Sequence, residues 1–320
     1  MAISAKPVFW RRTPPAVFPP ILGLFGLGLG WRRAVDGFAI SPVLADLILG
    51  ATTMLFLLSF GALVAKYLAR PEALIEDMGV LPGRVGLAAA SLSVMLLAAA
   101  MVPFSERLAS FLLTCGLLWH FLLIGLMAYV LMRGPAEQRR ATPAWHLTFV
   151  GFIVGPLSAA PLGMDALAQG LLIGTTVTAS VVFGISIEQL VKRDPPPPLR
   201  PLLAIHLSPL SLLGTAAALL GLTGTAIIFA ILSTLVLAVL IWKARYLTIS
   251  GFSPLWGAFT FPLAAYAGMM LELANTGAVF GVIGGLALVA ATLIIPYIAI
   301  RVVRMWSRGT LSMVTNAAVA

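Results

Sequence analysis

Apolar residues fill nearly the whole chain in runs of about 20 residues, the length that crosses a bilayer core. Short polar segments carrying most of the charge separate them. The runs predict ten spans, at about 15–31, 43–65, 82–103, 108–131, 143–163, 166–190, 202–221, 223–242, 253–272 and 277–300. The fold class they imply is all-α: a polytopic membrane protein of ten transmembrane helices in five helical hairpins. It forms a single domain over 1–320 with short tails at about 1–13 and 302–320.

Prolines divide the spans into two kinds. Each odd span opens on one, at Pro14, Pro82, Pro143, Pro201 and Pro254, where the missing N–H is not needed. Eight residues after three of these comes a helix weakener, Gly151, Pro209 or Pro262; the first hairpin breaks instead at Phe18-Pro19-Pro20, and the third span has only Ala90. Interior prolines, Pro156 included, fall in odd spans, and even spans have none until Pro296. A proline inside a helix frees a carbonyl that lipid cannot satisfy, so such a break belongs against protein or a wet cavity. Five broken helices alternating with five regular ones therefore predict odd helices lining a pore and even helices facing lipid. In the run from Ser253 to Leu271, the break at Pro262 follows Phe261, which is expected to point at what passes through.

Composition and charge sharpen this picture. The chain is 60% hydrophobic and only 10% charged, with mean hydropathy +1.05, whereas soluble domains use about 25% charged residues. The net charge of +9 would suggest nucleic acid for a soluble protein. Here the charges sit in loops, and seventeen of the twenty Lys and Arg fall on one side of the ten-span topology, leaving Arg32, Arg33 and Arg107 on the other. The positive-inside rule then places both termini in the cytoplasm, and nucleic acid is not an expected partner. The N-terminus imitates a signal peptide, but its prolines and the Trp31-Arg32-Arg33 that follows mark it as the first span. A lone Cys115 excludes an intramolecular disulfide, and Lys192–Arg200, KRDPPPPLR, reads as a stiff polyproline connection.

Candidate chemistry is sparse. There is no phosphate-binding lysine loop, no H-E-x-x-H and no Cys/His cluster, so no enzyme, metal or cofactor is expected, and ATP-driven transport within the chain is excluded. The glycines of GLFGLGLG, with Gly26 and Gly30 four apart, suit close helix packing. Asp46 and Glu272 lie at span ends, where interfacial solvation accounts for them. Apart from Arg84 and Glu272 the odd spans hold no charge, which favours a passive conduit over an ion-coupled carrier. Of His120, His146 and His206, the last two lie on odd spans and are candidate proton-sensing groups.

Four segments in order, PPAVFPPILGLFGLGLGW, TPAWHLTFVGFIVGPLSA, LRPLLAIHLSPLSLLG and SPLWGAFTFPLAAYA, carry a resemblance to the tellurite-resistance/dicarboxylate transporter family, which includes the slow-type anion channels of plant guard cells and their bacterial homologues. The resemblance implies a homotrimer in the bacterial inner membrane, each protomer with its own pore through a quasi-five-fold ring of kinked odd helices. One phenylalanine of span 9 plugs that pore; the matching residue is Phe261, with Phe18 beside it. The family tends to have prolines where this chain has Ala90 and Thr148, and His206 departs from its pattern. Expected permeants are small inorganic or carboxylate anions. Two functions stand: a passive anion channel or uniporter, and a proton-coupled carrier for C4-dicarboxylates, sulfite or tellurite-type oxyanions that uses His146 or His206. A third, a membrane scaffold, leaves the broken helices without a use.

Overall fold

The computed structural model describes residues 9–135 and 139–320, and every regular element among them is helical. In chain order these are α1 (Phe18–Phe38), α2 (Val43–Ala69), α3 (Glu72–Gly79), α4 (Leu81–Met101), α5 (Glu106–Arg133), α6 (Trp145–Phe149), α7 (Pro156–Ala159) and α8 (Asp165–Lys192). There follow α9 (Leu207–Leu219), α10 (Thr223–Trp242), α11 (Ala244–Thr248), α12 (Thr260–Glu272), α13 (Ala278–Ser307) and α14 (Thr310–Val314). Eight stretches among the described residues are long and apolar enough to cross a membrane, so this is a multi-pass membrane protein. The two other predicted spans correspond to α1 and to α6–α7, which the 3-10 turn Gly151–Val154 interrupts.

Burial sorts the helices as the prolines do. The crossing stretches containing α4, α9 and α12 are 72–83% buried, whereas α2, α5, α8, α10 and α13 are 28% buried or less. A helix buried all round is surrounded by protein; one apolar but exposed on most faces is solvated by lipid. The inner segments touch in sequence: α1 against α4, α4 against α6 and α7, α7 against α9, α9 against α12, and α12 back against α1. Each outer helix packs on its own hairpin partner.

Two expectations about the breaks need correction. Four inner segments are broken rather than five, because α4 runs uninterrupted from Leu81 to Met101 through fully buried Ala88, Ala89 and Ala90. The breaks are also not proline kinks within α-helices. Segments seven and nine begin as 3-10 helix, Pro197–His206 and Pro254–Phe259, and turn α at Leu207 and Thr260. Pro209 and Pro262 are the third residues of those α-helices, within the first turn, where most N–H groups have no intrahelical acceptor. The Ser208 hydroxyl donates to the Ile205 carbonyl that Pro209 leaves without its α-helical donor (2.9 Å). Thr260 Oγ1 lies within hydrogen-bond reach of the carbonyls of Gly257 (2.7 Å) and Pro19 (3.1 Å), which ties the break of segment nine to that of segment one.

Ion pairs fasten both ends. At one, the fully buried Lys66 and Asp77 pair at 2.6 Å; Lys66 Nζ also donates to the Thr13 carbonyl, and Asp77 accepts from Tyr67 OH (2.8 Å) and the Ala318 N–H (2.8 Å). Asp77 lies in α3, a helix within what reads from sequence as loop. At the other end Asp46 and Glu272 are not merely solvated: Asp46 pairs with Arg32 (2.7 Å) and Glu272 with Arg33 (2.6 Å), while Arg32 also donates to the Ala100 carbonyl.

Candidate functional site

Four inner segments converge on one narrow cavity. Its walls are Leu92 of α4, His146 and Val150 with Gly151 and Val154 of the fifth segment, Ser208, Pro209 and Leu212 of the seventh, and Phe261 of the ninth. The free space is about 20 Å³, room for about one water molecule. Phe261 is 4% exposed, and its ring lies against α1 at Gly26, where an added Cβ would stand 3.1 Å from Phe261 Cδ2 and 2.9 Å from Ala264 Cβ. Gly26 thus makes room for the ring, and the close packing read from the Gly26–Gly30 spacing takes place here. At Gly151 a Cβ would stand 2.5 Å from His120 Nε2 and 2.7 Å from Leu92 Cδ2, so the absent side chain lets the fifth segment close on α4 and α5.

A second contact among the inner segments lies nearer their N-terminal ends. Val85, Ala144, Leu202, Ile205 and Ala258 form an apolar cluster with Leu81, Leu147, Leu199 and Leu255 against it. Pro19, with Pro82 and Pro254, borders a void of only about 10 Å³ at this level.

The candidates from sequence therefore separate. Phe261, Gly151, Pro209 and His146 share the cavity. Pro19 borders the small void beside the N-terminal apolar cluster, and Pro20 packs beside Gly257. Phe18 is buried, its ring edge-on to Phe56 of α2 at 6.0 Å. Pro156 opens α7 and is buried. Pro262 faces outward with Phe259 into an apolar groove between α10 and α13.

The profile of the voltage-dependent anion channel family matches residues 12–303, which takes in every inner and outer span. The chain belongs to that family. No curated protein matches the sequence. Membership bears out the resemblance read from the four segments, and with it anion transport as the general activity.

Within this voltage-dependent anion channel family member, the two inner histidines form a unit that their sequence separation of 60 conceals. His146 Nε2 and His206 Nδ1 share a hydrogen bond of 3.0 Å, both rings are buried, and Phe183 of α8 stacks on His206 at 5.2 Å. His146 Nδ1 and His206 Nε2 have no partner among the described residues. His120 Nδ1 is bonded to Ser91 at 2.8 Å and the ring packs edge-on to Phe152, while its Nε2 likewise has no partner among the described residues. The repeat of breaks, eight residues after an opening proline, was the available signal for Gly151 and Pro209. The cavity's Leu92 and Leu212 carry no such mark.

Proposed function

We propose that this chain is a passive anion channel or uniporter whose pore runs between the five inner segments and is closed by the Phe261 ring. The observation that carries the reading is the placement of that ring in a narrow, uncharged cavity bounded by four inner segments, backed by Gly26 of the first. An aromatic ring in such a passage blocks by volume and by dewetting, and weak binding lets an anion leave as readily as it enters. Ten crossings in quasi-five-fold order, a homotrimer in the bacterial inner membrane and cytoplasmic termini belong to the same reading. The cyclic contact order of the inner segments and the one-sided basic residues support the order and the termini. Selection then rests on dehydration cost and a basic cytoplasmic rim, which favour large monovalent anions over strongly hydrated ones.

Topology is tested by reporter fusions: termini are expected in the cytoplasm and the 163–166 turn outside. An external C-terminus excludes the ten-span arrangement.

A second reading, the proton-coupled carrier, is favoured by the His146–His206 bond, because His146 borders the Phe261 cavity and each ring has a nitrogen with no partner among the described residues. The two readings divide on one measurement. For the channel, anion current flows without a pH gradient, and His146→Gln with His206→Gln leaves it within a few-fold. Strict dependence of wild-type flux on a proton gradient, lost in the double variant, establishes the carrier instead.

A further inference from the structure

A cavity of about 660 Å³ opens between the start of the fifth inner segment, the C-terminal end of α8 and the polyproline connection. Its size is that of a small-molecule site, and it shares no lining residue with the Phe261 cavity. Its walls carry exposed Arg140 and Arg193, neither of which has an acidic partner among the described residues, while Lys192 is already held by Glu188. Among the described residues the one carboxylate on the lining, Asp194, is occupied by Arg200 at 2.7 Å and by the Tyr246 hydroxyl. The lining also carries polar atoms with no partner among the described residues: Ser186 Oγ, on a residue 4% exposed, His206 Nε2, on one 9% exposed, and Thr142 Oγ1. Buried polar groups without partners are costly, and these three belong to the same lining as the two guanidinium groups, a combination that suits a ligand oxygen. Leucines and prolines make up much of the remaining wall.

We propose that this pocket binds a phosphomonoester carried on an apolar body. Two guanidinium groups match a dianion with three terminal oxygens better than a carboxylate, and the hydroxyls of Ser186 and Thr142 donate to the same group. Bound oxygen also selects the tautomer in which His206 Nε2–H donates outward, so that His146 Nε2–H donates to His206 Nδ1. The assignment is independent of the gate, since its test reads binding and not flux.

Phosphomonoesters reach this site from solution or as a lipid headgroup, and two titrations separate the sources. The purified full chain in neutral detergent is titrated calorimetrically with phenyl phosphate and with phenol; native mass spectrometry follows phosphatidic acid against phosphatidylcholine. Phenyl phosphate is expected to bind at least about tenfold more tightly than phenol. Arg140→Gln with Arg193→Gln is expected to weaken it by about tenfold or more, and Ser186→Ala by about threefold. Both arginines are exposed, so the double variant keeps its fold. Binding of phosphatidic acid alone, lost in the double variant, supports the site with a lipid headgroup as its ligand. Failure of both phosphomonoesters to bind, equal binding of the phosphate-free or zwitterionic probe, or affinity unchanged in the double variant overturns the proposal.

Discussion

Phe261→Ala, reconstituted in liposomes, is expected to carry a large anion current with no stimulus, at least about tenfold above wild type. Turning the ring out of the cavity forces a strained rotamer at a cost of about 0.5–1.5 kcal/mol. The upper end alone holds about nine channels in ten closed, since 1.4 kcal/mol is tenfold, and the packing lost against Gly26 adds to it. Truncation removes the obstruction and lets water in. Phe261→Leu is expected to be intermediate, because it leaves a smaller apolar block. The control is Phe259→Ala: that ring lies in the outer groove, edge-on to Trp256 at 5.6 Å, and its loss leaves the current at wild-type level. A folded Phe261→Ala that conducts no more than wild type leaves Phe261 as a packing residue only.

The second large effect concerns stability. Asp77→Ala strips a fully buried ammonium of its counter-ion, leaving Lys66 with only the Thr13 carbonyl and orphaning the Tyr67 hydroxyl and the Ala318 N–H. Removing one partner of a buried pair costs about 3–5 kcal/mol. The measurement is the unfolding midpoint in detergent, which should fall steeply, with a second variant carrying Lys66→Met and Asp77→Leu recovering much of the loss. A single variant as stable as wild type, or a double variant no better than the single, contradicts the assignment.

Much of the architecture is legible in the sequence because membrane spans announce themselves through length and apolarity, without any need for long-range pairing. α2, α5, α8, α10 and α13 lie close to their predicted runs. The prolines at 14, 82, 143, 201 and 254 likewise mark the inner segments, since a residue lacking an N–H is informative about its own backbone. What stays hidden depends on partners distant in the chain. Lys66 reads as a loop cation until α3 and residue 318 are brought beside it. His146 and His206 read as two separate groups, and Arg33 and Glu272 lie 239 positions apart. The form of the breaks was equally out of reach: a proline signals interruption, but whether the turn before it is α or 3-10 is set by packing, as the Thr260–Pro19 contact illustrates.

If the pore proposed above passes the apolar cluster of Val85, Leu202, Ile205 and Ala258, that cluster is a collar which changes what any gate variant can report. Two constrictions along one path act as resistances in series, and the larger sets the flow. Once the Phe261 ring is gone, the conductance that remains is that of the collar, so the plateau reached by Phe261→Ala measures the collar and not the gate. Widening the collar in wild type, as by Leu202→Ala, should then change little, whereas the same change on a Phe261→Ala background should raise conductance by more than the two separate effects multiplied.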